Sequence, residues 1–224
     1  GEAYHTICHA YVHQTQPSAT ERDGRLYFDH DEPHKLWSYG SHFLLAERYI
    51  LPGEDEPVFV VNGYEYSREI SAQTNILLQS IPDECKTFIA VPNGSSWSRN
   101  YVLPTLGSNK ESRHDYRKIV QSWLNEIEQI ADRMMRRPKY DLFEDDVHRI
   151  RRMREMAVEF IDTFQCKSAL TETMYDTLIS PTVPFTEFAS QARKLIKRHQ
   201  DRIEQYKEHE RKSLRRYVKY MLEQ

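Results

Sequence analysis

The feature that most constrains the fold is the pair Asn62-Gly63, which lies between two runs of β-branched and aromatic residues at 58–61 and 64–67. Asn-Gly accommodates positive φ at both central positions of a type I′ turn, whose twist matches that of paired strands. The spacing therefore predicts a β-hairpin. Another apolar run, at 43–50, precedes an acidic turn. Together these runs predict a three-stranded antiparallel meander.

Gly40 lies at the start of this meander, in the motif SYGSHF at 38–43. A glycine inside a strand pattern marks a bulge or a close backbone approach, and a bulge re-aims the neighbouring side chains. Tyr39, Ser41 and His42 are therefore candidates for a site. The alternative is that Gly40 only relieves crowding among the aromatic side chains beside it.

Shorter patterns supply the remaining elements of the first half. They predict a strand at 25–28, a helix at 70–81 with Ser67 or Ser71 as its N-cap, and a strand at 87–91. Residues 4–13 fit a helix or a strand equally well. We predict an α+β domain over 1–108, a small antiparallel sheet with about one helix, in which 92–108 belong to a linker.

The second half, 109–224, is predicted to be helical. Apolar residues recur at helical spacing in three stretches, at 116–134, 147–164 and about 170–179. A long C-terminal helix follows from 185 to 222, a stretch without Gly or Pro. Its apolar stripe has a period of 3.6, which also predicts self-association of the chain through this helix.

Charge is distributed unevenly between the halves. Residues 1–108 carry 7 Lys and Arg against 14 Asp and Glu, whereas residues 109–224 carry 24 against 20. The positive second half indicates an anionic partner. The chain has no apolar run long enough for a transmembrane helix. Its three cysteines are widely separated, a spacing that indicates neither a disulfide framework nor a zinc cluster and favours a reducing cytoplasm.

Nucleic acid is the partner that this pattern favours, RNA or single strands more than duplex DNA. Sheet aromatics would stack unpaired bases, and basic helices would neutralise phosphates. The candidate residues are Trp37, Tyr39, His42, Tyr64, Tyr66, Arg136, Arg137, Lys139, Arg149, Arg151 and Arg152. The competing interpretation is that the arginines flank an apolar stripe and cover it with their stems.

Two other classes of function stay open. A protein-binding module, for example an inhibitor of a host defence complex, would use the acidic first half or the last helix. A hydrolytic or metal-dependent enzyme would centre on His42, with Ser41 beside it and an acid such as Glu47 or Glu65. Adjacent strand residues point to opposite faces, so Ser41 and His42 would not form a nucleophile–base pair. We predict no catalytic residue, no cofactor and no metal, although His5, His9 and His13 share one face of a helix or a strand.

The first half also resembles a family of uncharacterised proteins from phages and mobile elements. The likeness covers about residues 10–92 and rests on His13-Gln14, the 26–28 strand, the 38–43 motif with Ala46, and Tyr66-Ser67 followed by the helix to Ile81. Family members share a Tyr-Gly-x-His-Phe core and a Ser/Thr-rich helix start. This chain differs after Ser67, where it has REISAQT rather than a Thr- and His-rich segment. The resemblance implies a phage-type accessory protein that acts in the cytoplasm of a bacterial host.

Overall fold

The computed structural model describes residues 2–64, 67–90, 112–136, 143–179 and 184–222. The description leaves out the side chains of Glu2, His42, 112–114, 134–136, 143–144, Val147, Leu222 and all of 184–200 except Lys197. The helices are α1 Glu2–His13, α2 Arg68–Ser80, α3 Ser112–Arg136, α4 Phe143–Thr163, α5 Glu172–Ile179 and α6 Pro184–Leu222. The strands are β1 Ala19–Thr20, β2 Leu26–Phe28, β3 Lys35–Ser38, β4 Phe43–Tyr49, β5 Val58–Asn62 and β6 Thr87–Ala90. Short 3-10 turns occupy Gly40–His42 and Lys167–Ala169.

The strands form one sheet in chain order, β1-β2-β3-β4-β5-β6. Neighbours are antiparallel except β5 and β6, which are parallel because α2 carries the chain across between them. A mostly antiparallel sheet with helices and a long C-terminal helix confirms the predicted α+β class. None of the helices in the described ranges is both long and apolar enough to cross a membrane.

The predicted hairpin at Asn62-Gly63 is wrong. Asn62 is a fully buried residue of β5 whose amide nitrogen donates to the Leu44 carbonyl at 3.0 Å, while its side-chain oxygen accepts from the Tyr64 backbone N–H at 3.1 Å. One edge of β5 pairs with β4 and the other with β6. Both edges are therefore occupied, and a strand at 64–67 would have no place to pair. The first two strands of the predicted meander are confirmed as β4 and β5, and β3 takes the third position.

Gly40 is not inside a strand, as the sequence predicted, but begins the 3-10 turn between β3 and β4 with φ +69°. Glycine adopts this left-handed conformation without steric cost. The register irregularity of the sheet lies elsewhere, between Leu36 and Trp37. The predicted strands at 25–28 and 87–91 and the predicted helices are confirmed within a few residues.

Helices cover both sides of the sheet. On one side α1 and α2 enclose a core that includes Tyr11, Phe28 and Phe59. On the other side α3, α4 and α5 pack on β4, β5 and β6 around Trp123 and Phe160. The Trp123 indole N–H donates to the Ile89 carbonyl of β6 at 2.8 Å. The second core thus contains residues from both predicted domains, and the boundary at 108 stays a prediction.

The first segment, which fitted a helix or a strand, is the helix α1. His5, His9 and His13 lie on its exposed face, and the rings of His9 and His13 are 4.4 Å apart. Within the described residues, no group of three or more His, Cys, Asp or Glu side chains is placed to hold a metal ion. The other face of α1 contributes Ile7, Cys8 and Tyr11 to the core.

Candidate nucleic-acid interface

The Tyr39 turn is the most unusual local structure among the predicted site residues. Tyr39 has φ +53°, a left-handed conformation that is rare for a bulky residue and costs energy. Its hydroxyl donates to the carboxylate of Glu69 in the first turn of α2. The left-handed backbone therefore turns the Tyr39 side chain toward α2, whereas Trp37 packs against the opposite core.

Glu69 is held by three donors from distant parts of the chain. The hydroxyls of Tyr39 and Tyr4 both donate to it, and Arg25 Nη1 lies 3.1 Å from its Oε1. Hydrogen bonds from Tyr39 and then from Tyr4, together with Arg25, lower the pKa of Glu69 to about 2. A carboxylate with so low a pKa is a poor general base at neutral pH.

A buried pair beneath this cluster fixes its position. Ser38 and Gln73 are fully buried, and the Ser38 hydroxyl donates to Gln73 Oε1 at 2.6 Å. The Gln73 amide in turn donates to the Arg25 carbonyl at 3.4 Å. The first half of the SYGSHF motif thus connects β2 and β3 to α2, which is a structural role. Ser41 is exposed in the same turn.

The predicted base-stacking aromatics do not share a face. Trp37 is half-buried against the core of α3, α4 and α5, and Tyr64 is half-buried against the core of α1 and α2. Tyr66 lies outside the described residues. The neighbour of Trp37 on its own face is Tyr27, directly opposite on β2. Tyr27 has a raised pKa, mainly through burial and then through the nearby charges of Asp29 and Glu32. Such an acidic setting is unfavourable for phosphate.

The predicted arginines of α4 are exposed, and acids lie near two of them, Arg149 and Arg151. Arg149 lies 3.7 Å from Glu126 of α3, and Arg152 is exposed on the same helix. Arg136 is the last residue of α3, with its side chain outside the description. Arg137 and Lys139 fall between the described ranges. Of the six predicted cations, the structure therefore describes the side chains of three, Arg149, Arg151 and Arg152.

Arg151 faces a groove of about 820 Å³ between α4, the end of α5, the turn before β5 and the residue that precedes β6. The groove also contains the cations Lys86 and Arg154 and the acids Glu54, Glu155, Glu159 and Asp162. Lys86 Nζ lies 2.7 Å from the Glu54 carboxylate. Arg154 donates to the Leu178 and Ile179 carbonyls and so satisfies the C-terminus of α5. Mixed charges make this groove a poor phosphate site.

Among the described side chains, the most uniform cationic surface lies on α6, and the sequence prediction did not name its residues. Every residue from 201 to 221 is exposed. Residues 211–221 contain five cations and no acid. At about 100° per residue the five lie on one arc of about 140°. We call this arc the cationic face; it consists of Arg211, Lys212, Arg215, Arg216 and Lys219. A helical-wheel projection of residues 211–221, made from the sequence alone, also shows the cationic face.

Comparison with known proteins gives no relative: no family model matches the chain, and no curated protein or solved structure matches it either. The structure itself defines an α+β protein whose basic C-terminal helix is exposed over residues 201–221.

Proposed function

We propose that this protein binds nucleic acid through the cationic face of α6. The observation that carries the proposal is the segregation of charge: five exposed cations without an acid in the last eleven described helical side chains. Arg211 and Lys212 lie 3.9 and 3.7 Å from Glu208, one turn before them. Exposed pairs of this kind are worth little, so phosphates can replace the Glu208 carboxylate.

Tyrosine beside the cations supports single strands or RNA over duplex DNA. Tyr220 is 59% exposed and borders the cationic face next to Arg216 on the helical wheel. An unpaired base can stack on such a ring while the neighbouring cations hold the backbone. Base stacking is thus proposed for α6 rather than for the sheet aromatics.

The proposal is tested by fluorescence polarisation with labelled single-stranded RNA, single-stranded DNA and duplex DNA over a range of salt. If all five cations contact phosphates, log K falls against log salt with a slope of about −3.5 for single strands and about −4.5 for duplex. The variant Arg215→Glu/Lys219→Glu should weaken binding at least about tenfold and flatten the slope. Tyr220→Ala should weaken binding to single strands alone.

A matched control distinguishes binding at the cationic face from an effect of the protein's net charge. Arg22→Glu/Arg68→Glu changes the net charge equally at exposed positions of the acidic half and should leave binding unchanged. Arg149→Glu/Arg152→Glu tests the cations of α4. If the α4 variant loses binding and the α6 variant keeps it, the site lies on α4. No change in polarisation with any of the three nucleic acids would overturn the proposal.

Protein binding is the second candidate, and it is favoured by exposed apolar residues on the other side of α6, including Tyr206 at 70% and Leu214 at 65%. An inhibitor of a host defence complex stays a prediction of this class, whereas the phage-type accessory role stays a prediction that accompanies nucleic-acid binding. An enzyme centred on His42 also stays a prediction, because the His42 side chain lies outside the described residues.

A further inference from the structure

A second surface of α6 carries apolar side chains that no described element of the same chain covers. The apolar stripe, as we call it, consists of Ile203, Tyr206, Leu214, Tyr217 and Met221, which are between 41% and 70% exposed. At about 100° per residue they occupy an arc of about 80°, and its centre lies about 170° from that of the cationic face. Contiguous exposed apolar surface of this kind marks an interaction site.

Two charged residues accompany the apolar stripe: Glu210 lies inside its arc, and Lys207 lies about 20° beyond its edge. They are of opposite sign and three residues apart, and both are exposed. A partner that covers the stripe must therefore supply a carboxylate opposite Lys207 and a cation opposite Glu210, because an unpaired charge at an interface is costly. The same segment of a second chain supplies both.

We propose that α6 pairs antiparallel with α6 of a second copy of this chain, about a two-fold axis between Glu208 and His209. In this register Lys207 of each copy lies opposite Glu210 of the other, because both positions are equally far from the axis. Ile203 likewise lies opposite Leu214 of the second copy. Each of these two charges thus meets its opposite, and the interface is the same on both chains, as a two-fold axis requires.

A parallel pair in register lacks this complementarity. It places Lys207 against Lys207 and Glu210 against Glu210 of the second copy, and like charges in contact are destabilising. Charge along the helix favours the same orientation. Residues 201–210 carry four acids and two Lys or Arg, whereas 211–221 carry five cations and no acid. Antiparallel pairing brings the acidic half of each helix beside the basic half of the other.

This pairing is independent of nucleic-acid binding, because the cationic face points away from the apolar stripe. The antiparallel dimer leaves both cationic faces outside. Lys212→Glu should therefore reduce nucleic-acid binding and keep the dimer, while Leu214→Glu should abolish the dimer. The two proposals can fail separately.

Light scattering after size-exclusion chromatography measures the oligomeric state of the full chain. At about 100 μM, where a complex of micromolar Kd is nearly complete, the wild-type should have twice the 26.7 kDa chain mass. Leu214→Glu should return it to 26.7 kDa. Circular dichroism must show unchanged helix content in the variant. A wild-type monomer would overturn the proposal and leave the stripe to a different protein.

Cysteine cross-linking determines orientation. Under mild oxidation, a mixture of the single variants Ile203→Cys and Leu214→Cys should form a covalent dimer, because their Cα atoms come close. Ile203→Cys alone should not, since its two copies lie eleven residues apart, about 16 Å, beyond the limit of about 7 Å for a disulfide. Cross-linking in Ile203→Cys alone would indicate a parallel pair. Cys8, Cys85 and Cys166 are buried and do not compete.

A charge swap tests the register. Lys207→Glu and Glu210→Lys should each raise the dimer Kd at least about tenfold, since each creates like charges across the axis. The double variant Lys207→Glu/Glu210→Lys restores opposite charges only in the antiparallel register, so its Kd should return to near the wild-type value. A double variant as weak as the singles would overturn the register.

Discussion

At the scale of single residues, Glu69 connects three parts of the chain that are distant in sequence: α1, the turn after β3 and the start of α2. Its partner Tyr4 is 65 residues away and Tyr39 is 30 residues away. A carboxylate that accepts from Tyr39 and Tyr4 binds its proton less readily, which is why its pKa falls from 4.5 to about 2. Folding therefore favours the ionised form.

The sign of this shift predicts an acid-dependent loss of stability. The stabilisation by ionised Glu69 is complete above its ordinary pKa of 4.5 and is lost as pH falls toward 2. Glu69→Gln should lower Tm at pH 7 by roughly 2–5 °C, because the remaining amide is a weaker acceptor. The difference between variant and wild-type should shrink from pH 5 to pH 2. Thermal melts measure it, with the exposed Glu128→Gln as control. A pH-independent difference would contradict the assigned role.

The three cysteines provide a second prediction at this scale. Burial raises the pKa of Cys8 and of Cys166 to about 12, and the pKa of Cys85 is also raised, mainly by burial. The thiolate is the reactive form. The native protein at pH 8 should therefore react slowly with Ellman's reagent, while three thiols should react at once in denaturant. Fast labelling of Cys8 or Cys166 in the native protein would be inconsistent with this core.

At the scale of secondary structure, the sequence left the N-cap of α2 open between Ser67 and Ser71, and the structure distinguishes them. The Ser67 hydroxyl accepts from the Ile70 backbone N–H at 3.2 Å, which makes Ser67 the cap. The Ser71 hydroxyl instead donates back to the Ser67 carbonyl at 3.1 Å, inside the helix. The first bond gives an acceptor to the Ile70 N–H, which has no partner within the helix. The second is redundant, because the Ser67 carbonyl already accepts from the Ser71 N–H.

These two serines form a matched pair for measurement. Ser67→Ala should destabilise the protein by about 1 kcal/mol, because it leaves an N–H of the first turn without its acceptor. Ser71→Ala should change stability by less than about 0.5 kcal/mol, since alanine has the higher helix propensity and the lost bond is redundant. Urea denaturation measures both. Equal effects would show that the cap contributes little to α2.

The elements that the sequence predicted well are those specified locally. Helices α3, α4 and α6 were predictable because an apolar period of 3.6 is visible within one segment. The hairpin failed because Asn62 donates its amide to a carbonyl on β4, a long-range contact that turn statistics do not include. The Glu69 cluster was not predictable for the same reason. The cationic face was predictable in principle, since a helical wheel needs only residues 211–221.

At the scale of the whole molecule, the core on the α3 side joins the two sequence halves through aromatic contacts. The ring of Phe160 in α4 lies 5.3 Å from that of Phe88 in β6 and 5.1 Å from that of Trp123 in α3. Both contacts are edge-to-face, the geometry that aromatic pairs prefer. Leu44 and Val58 of the sheet are buried in the same cluster. The sheet therefore depends on α3 and α4 to keep this face from water.

This dependence predicts that the sheet and the helices open together. Phe160→Ala should cost about 3–5 kcal/mol through lost burial and the cavity it leaves. In hydrogen exchange under native conditions, the variant should lose protection in β5 and β6 as well as in α3 and α4, because one core supports all four. Ile7→Ala, in the core on the other side, is the control for general destabilisation and should first expose α1 and α2. Faster exchange restricted to α3 and α4 in Phe160→Ala would instead establish residues 1–108 as an independently stable domain, as the charge boundary predicted.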